Sequence, residues 1–219
     1  ILLAMIVLAN LVVVFTKAAS SASRINEVFE TQPSIITGKD KTFDLNKPAI
    51  EFNNVSFEYP GAGDLSLENI TFTLNRGEVL GVIGGTGSGK STLANLVPRF
   101  YDATEGEVLV DGVDVRNYDI KSLNDKLGYV PQKAVMFSGT VKSNVGYGEN
   151  ADEREYTDEE IKKAVEIAQG TEFVEKMENT YDGAIAQGGS SISGGQKQRL
   201  AIARAVCRKP EIYIFDDSF

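Results

Sequence analysis

The first sixteen positions, Ile1 to Thr16, show no alternation of apolar and polar residues: they carry no charge, and only Asn10 and Thr16 are polar. Such a run is shorter than the roughly 20 residues that span a bilayer. It fits either the end of a membrane helix or the buried helix of a soluble domain, and it lacks the basic residues that precede the apolar core of a signal peptide. Lys17 and Arg24 follow directly, and the positive-inside tendency places that end in the cytoplasm. From Ala18 to about Phe29 a helical period continues through Ala22, Ile25, Val28 and Phe29, until Pro33 ends it. The expectation is therefore a membrane helix that exits into the cytoplasm and continues as a helix to about residue 32. Residues 33–48 mix Pro, Gly and charge without periodicity and read as a linker.

A soluble domain begins near Ala49. Ile50 and Phe52, a register break at Asn53-Asn54, then Val55, Phe57 and Tyr59 alternate as a strand does, and Pro60-Gly61 closes the run. Ile70, Phe72 and Leu74 repeat the pattern. Val79 to Ile83 reads as a short apolar strand, followed by a Gly-rich segment and a helix that Pro98 stops. Val108–Val110 and Leu127–Val130 supply further strands. Residues 140–178 read as helical, with Thr157 and Glu160 forming a capping box ahead of Ile161, Ala164, Val165 and Ala168. A last helix, Gln196 to Arg208, leads to a buried strand, Ile212 to Phe215.

Composition narrows this picture. The 219 residues, 42% apolar, make room for one sizeable domain and an appendage. Residues 1–47 hold five Lys/Arg and four Asp/Glu, so the overall charge of −9 leaves −10 on residues 48–219. An acidic body is a poor binder of nucleic-acid backbones. The lone Cys207 cannot form an internal disulfide and reads as a small core residue rather than a nucleophile. With no histidine in the sequence, a Ser-His-Asp triad and His-ligated zinc are excluded within it.

The chemistry concentrates in three places. Residues Gly84, Gly85, Thr86, Gly87, Ser88, Gly89, Lys90, Ser91 and Thr92 contain G-x-x-x-x-G-K-[ST], between a predicted strand and a predicted helix, which is the context a phosphate-binding loop requires. Glycines let successive N–H groups wrap the phosphates, Lys90 reaches the β- and γ-phosphates, and Ser91 offers a hydroxyl to Mg²⁺. The strand Ile212–Phe215 ends in Asp216 and Asp217; Asp216 suits the magnesium-side carboxylate, and Asp217 stands where a general base for water would sit. Residues 192–196, I-S-G-G-Q, precede the last helix.

Together these features resemble the ATP-binding cassette (ABC) superfamily, in its exporter form with membrane and nucleotide-binding domains fused in that order. The likeness rests on the phosphate loop, Gln132 within V-P-Q-K-A-V-M-F-S-G-T-V, the I-S-G-G-Q signature, the I-Y-I-F-D-D strand and Tyr59 ahead of the first turn, and it covers essentially the whole chain. It implies an α/β fold: a P-loop ATPase domain over 49–219 with a mixed core sheet, an antiparallel β subdomain from residues 50–74, and a helical subdomain at about 140–195, preceded over 1–32 by the end of the last transmembrane helix and its cytoplasmic extension. It further implies ATP and Mg²⁺ as cofactors, with Tyr59 stacking on adenine and Gln132 touching Mg²⁺ or the attacking water. Ser193, Gly194, Gly195 and Gln196 would cap a γ-phosphate bound to a partner domain, so that hydrolysis belongs to a dimer. Outside the family, Tyr59 also reads as an ordinary strand-edge aromatic and Gln132 as a surface glutamine.

Two departures matter. The family usually places Glu after the strand-terminal Asp; here it is Asp217, whose shorter side chain withdraws the carboxylate. That resembles the degenerate-site subunit of bacterial heterodimeric multidrug-type exporters, and favours a second half-transporter over a second copy as partner. The segment 185–191, I-A-Q-G-G-S-S, lacks the commoner Glu-Arg-Gly. The resulting expectation is an ATP-hydrolysing exporter subunit in the cell membrane, multi-pass, with a cytoplasmic nucleotide domain, driving solute export without a nucleic-acid partner. A nucleotide-binding regulatory module and a soluble non-transport ABC ATPase are the alternatives. The resemblance also puts a switch histidine and a dimer-crossing loop beyond Phe219, so a C-terminally truncated domain, marginally stable and without turnover alone, is expected.

Overall fold

The computed structural model describes residues 1–148 and 154–217. They form two compact units, Ile1–Ile36 and Thr37–Phe219. The helical expectation at 149–153, and residues 218 and 219, lie outside the described residues.

The first unit is one helix, α1 (Leu2–Glu30), without a buried residue. No Gly or Pro interrupts it. The hydroxyl of Thr16 donates to the Val12 carbonyl at 2.8 Å, which satisfies it within the helix. The helix ends ahead of Pro33, which disfavours helical backbone in the preceding residue. It is long and apolar enough to cross a membrane, with a mean hydropathy of 2.2 over its apolar 18-residue stretch.

The second unit opens on a strap rather than a free linker. Gly38 N–H donates to the Tyr118 carbonyl (2.8 Å), Asp40 N–H to that of Asn117 (2.9 Å), and Asp44 N–H to that of Asp111 (3.2 Å). A Cβ on Gly38 would sit 2.0 Å from the Asn117 carbonyl oxygen, so only glycine fits this approach. Periodicity carried no sign of the strap, because its contacts are backbone bonds to a distant loop.

The strap leads into β1 (Ile50–Glu58), which pairs antiparallel with β2 (Leu65–Leu74). Phe52 lies opposite Phe72, and their rings stack at 4.6 Å. The ladder then shifts before Val55 pairs Ile70, where Asn54 adopts φ +49° and donates its N–H to Thr71 Oγ1. That is the break expected at Asn53-Asn54. After the loop and α2 (Lys90–Leu96), β3 (Glu105–Val110) pairs with the other edge of β1, and β4 (Val113–Asp114) pairs with β3. The antiparallel sheet thus runs β2-β1-β3-β4, wider than residues 50–74 suggested. Its buried face holds Phe52, Val55, Phe57, Val108 and Val110 against Leu96 and Leu123.

Next come α3 (Ile120–Lys126), β5 (Leu127–Val130), β6 (Gly139–Thr140), α4 (Val141–Val145), α5 (Asp158–Ile167), α6 (Thr171–Glu175), β7 (Ala184–Ile185), α7 (Gly194–Cys207) and β8 (Ile212–Phe215). The capping box forms: Glu160 N–H donates to Thr157 Oγ1, and Thr157 N–H to the Glu160 carboxylate. Helices α4, α5 and α7 share a second core of Val141, Val145, Ile161, Val165, Leu200 and Ala203. Cys207 is buried in this core, and its thiol is pushed up to about 11 chiefly by desolvation, as befits a packing residue.

β5 and β8 pair in parallel, Leu127 with Ile212 through Val130 with Phe215. The expected strand Val79–Ile83 does not form. Residues 78–85 have no regular secondary structure, and Val79 and Ile83 are 96% and 99% exposed. A strand needs a hydrogen-bonded neighbour, and among the described residues β8 pairs with β5 alone. Apolar character without a partner edge leaves the run extended, with a cavity of about 350 Å³ between it and Leu67, Ile70 and Phe72 of β2.

Candidate functional site

The loop 84–89 joins that extended run to α2. Gly87 and Gly89 take φ of +81° and +86°, a region open to glycine. A Cβ on Gly89 would meet the Ser66 carbonyl at 2.7 Å and Leu67 Cδ2 at 2.8 Å, so the loop's base packs directly on β2. Gly85, Thr86, Gly87 and Ser88 are exposed. The Lys90 ammonium folds back over the loop, donating to the carbonyls of Gly84 (2.8 Å) and Gly85 (2.9 Å). A positive group is thereby held beside four exposed loop residues.

At the end of β8 two carboxylates diverge. Asp216 N–H donates to the Val130 carbonyl at 3.0 Å, prolonging the parallel ladder, and Asp216 Oδ1 accepts the Ser91 hydroxyl at 2.8 Å. Asp217 turns into the left-handed region (φ +47°), and its Oδ2 accepts from Gln132 Nε2 at 2.9 Å. Residues from three separate stretches of sequence, Ser91, Gln132 and Asp216-Asp217, thus meet at one edge. Oxygen donors from a hydroxyl and a carboxylate in hydrogen-bond contact form the set a hard divalent cation takes.

Tyr59 follows β1. Its ring meets Phe57 (4.8 Å, 84°) and Tyr101 (5.1 Å, 86°) edge to face. Its hydroxyl lies 3.0 Å from Thr92 Oγ1, on the first turn of α2. The aromatic and the phosphate-loop helix are therefore joined by one hydrogen bond, which spacing did not suggest.

Ser193, Gly194, Gly195 and Gln196 lie at the start of α7. Ser193 Oγ accepts from Gln196 N–H (3.3 Å), and Gln196 Oε1 accepts from Ser193 N–H (2.8 Å), a capping box written in the sequence as S-x-x-Q. Among the described residues these two side chains partner each other rather than the phosphate loop. Nothing lies within 4 Å of a Cβ on Gly194 or Gly195, so this stretch of backbone is open to close approach.

Residues that pattern reading missed also support the site. Tyr129, on β5, donates to Asn95 Oδ1 at 2.8 Å, and its hydroxyl is pushed up to about 12, by burial first and then by the Asp216 charge. The available signal was a polar-tipped aromatic in a strand expected to be buried. At the opposite end of β5 and β8, the buried Asp111 carboxylate pairs with Lys126 (2.8 Å) and Arg76, and Glu211 accepts from Lys126 at 2.9 Å. Lys126 and Glu211 immediately precede the two strands, which fixes the footing from which β8 presents Asp216.

Comparisons with known proteins point one way. The ABC transporter family model matches residues 67–219. The chain is 41% identical over 210 residues to an uncharacterized ABC transporter ATP-binding protein, YfiB, of Bacillus subtilis, covering 95% of this chain and 35% of that one. It is 39% identical over 204 residues to an ATP-dependent lipid A-core flippase of Haemophilus influenzae, with 93% and 34% covered. The solved structure of a bacterial Atm1-family ABC exporter with ATP bound superposes with a TM-score of 0.82 at 30% identity, over 93% of this chain and 35% of that one. The chain spans about a third of the length of these relatives.

Proposed function

The chain belongs to the ABC transporter family, and on that premise we propose that it is the nucleotide-binding part of an exporter subunit, which binds ATP and works with a second nucleotide domain. One observation carries this reading: Ser91 on Asp216 and Gln132 on Asp217 converge beside the loop that Lys90 closes.

In this reading the exposed loop and Lys90 bind the β- and γ-phosphates, and Tyr59 receives the adenine. Ser91, Asp216 and the Gln132 amide oxygen hold Mg²⁺, which supplies positive charge to the phosphate oxygens. Asp217 accepts a proton from water, or holds that water in line, while Gln132 keeps the carboxylate oriented. The open backbone at Gly194 and Gly195, at the N-terminus of a 14-residue helix, suits a γ-phosphate carried by a partner domain. Ser193 serves that role indirectly, by capping the helix that presents those N–H groups.

Asp217 makes the chain's own site a slow one. Compared with Glu its carboxylate is withdrawn by about 1.5 Å, the length of one methylene step. A misplacement on the order of 1 Å costs about 100-fold in rate. The partner is therefore a different half-transporter that supplies the faster site, and the pair is a heterodimer. The length and apolarity of helix α1 support a bilayer-spanning assembly, while a cytoplasmic nucleotide domain and outward movement of a solute rest on the likeness to ABC exporters. The acidic body argues against a nucleic-acid partner.

The test uses the full-length protein in lipid, alone and with its partner half-transporter. ATP binding lost in Lys90→Ala, with turnover requiring the partner, is the expected result. Full turnover by the protein alone contradicts the heterodimer, and binding without turnover in either setting favours a regulatory module.

A further inference from the structure

The segment 99–104 lies outside every motif that suggested the site, yet it touches both ends of it. Arg99 is 6% exposed and adopts φ +57°. Its guanidinium clasps Asp102 through two bonds, Nε to Oδ1 at 2.6 Å and Nη2 to Oδ2 at 3.1 Å, and donates a third to the Arg116 carbonyl at 3.0 Å. A bidentate pair three residues apart fixes the turn between them. Two further bonds suture the turn to the end of β1: Thr104 N–H donates to the Ser56 carbonyl (3.0 Å), and Glu58 N–H to Thr104 Oγ1 (3.1 Å).

This rigid turn projects two rings. Phe100 meets Tyr129 edge to face at 5.3 Å. Tyr101 meets Tyr59 at 5.1 Å and Phe57 at 5.5 Å. Tyr59 is thereby held at three points: by Phe57, by Tyr101, and by its hydroxyl on Thr92. Phe57 is buried and serves the sheet core, whereas Tyr101 remains 38% exposed. A ring that packs little of the core yet abuts Tyr59 is placed to set the orientation of Tyr59.

We propose that Tyr101 is a positioning residue for nucleotide-base recognition: clamped by the Arg99–Asp102 pair, it holds Tyr59 in the orientation that receives the base. The inference rests on the reading of Tyr59 as the base-stacking residue. An edge-to-face aromatic contact is worth enough to change affinity by about two- to tenfold. That change should fall only on ligands that carry a base.

The experiment measures binding of ATP and of inorganic tripolyphosphate to the full-length protein with its partner, by calorimetry, for Tyr59→Ala, Tyr101→Leu, Tyr101→Met and Tyr101→Phe. Tyr101→Met fills the gap with a flexible side chain and serves if Tyr101→Leu does not fold. The expected result is ATP affinity weakened about two- to tenfold by Leu or Met and restored by Phe, with tripolyphosphate affinity unchanged throughout. ATP affinity unaltered in both non-aromatic variants overturns the proposal, as does equal weakening of both ligands, which marks a structural role. If Tyr59→Ala weakens ATP while the Tyr101 variants do not, the positioning role alone fails. If Tyr59→Ala leaves ATP affinity intact, the base-stacking reading beneath it fails as well.

Discussion

Asp216 and Asp217 are neighbours in sequence but belong to differently supported regions. Asp216 directly follows β8 and stays tied to the sheet: its N–H donates to the Val130 carbonyl, Ser91 donates to its carboxylate, and the Tyr129 hydroxyl beside it stays protonated well past neutral pH. Asp217 has left the sheet for a left-handed turn, and Gln132, an exposed loop residue, is the partner of its carboxylate. One region is determined by backbone, the other by a side-chain contact between two loops. The backbone ladder places residue 216 whatever its side chain, whereas the Asp217 carboxylate depends on the reach of its own side chain to Gln132, so a change of one methylene at 217 moves the carboxylate itself.

The comparison can be broken from below. Lys126→Met leaves the fully buried Asp111 carboxylate with Arg76 as its remaining cation and releases Glu211, at the footing of both strands. A loss of about 1.5–3 kcal/mol in urea unfolding of the second unit is expected, because one charged hydrogen-bond partner of a buried carboxylate is removed while the other stays. It should impair the two carboxylates alike. Asp216→Asn separates them. It removes the charge on the Ser91 side while keeping the shape, and ATP turnover of the paired transporter should fall on the order of 100-fold if this chain's own site is the one monitored. Equal effects from Asp216→Asn and Asp217→Asn on that site would erase the distinction drawn here.

A smaller effect marks a region outside the comparison. Glu160, which caps α5 and accepts from Arg154 and Lys209, is held well below the usual carboxylate range by those bonds and by the Thr157 N–H. A depressed folded pKa contributes stability that is complete above the unfolded value of about 4.3 and is lost as pH falls through the folded one. Glu160→Gln should therefore be less stable than the parent at neutral pH and lose less stability on acidification below about pH 4.3, the two converging in acid, as thermal melting across that range would read.

Sequence pattern reached the β1–β2 hairpin with its break at Asn53-Asn54, the β5 and β8 strands, α7 and the Thr157 capping box, because each is encoded by local periodicity or by a cap three residues from its partner. It also singled out residues 84–92 as a candidate phosphate loop, and there the structure gives Gly87 and Gly89 positive φ and folds Lys90 back over the loop. The strap at 37–47 escaped it because distant backbone carbonyls, not side-chain period, hold the segment. Val79–Ile83 misled it for the converse reason: apolar composition states a wish for burial, but only a neighbouring edge makes a strand. Ser91 and Asp216, which the sequence assigns to one Mg²⁺, do lie together, whereas the ties from Tyr59 to Tyr101 and Thr92 were hidden, because they depend on which loops the sheet brings together.

The most direct measurement is ATP turnover of the full-length protein paired with the half-transporter proposed as its partner, the second site being silenced, with Asp217 compared with Asp217→Glu. Extending the carboxylate by one methylene should raise turnover at this site by about tenfold or more, with ATP affinity unchanged. Turnover already fast with Asp217 and unaltered by Glu would show that the loop contact to Gln132 places an adequate base, and would contradict the division of labour between the two carboxylates.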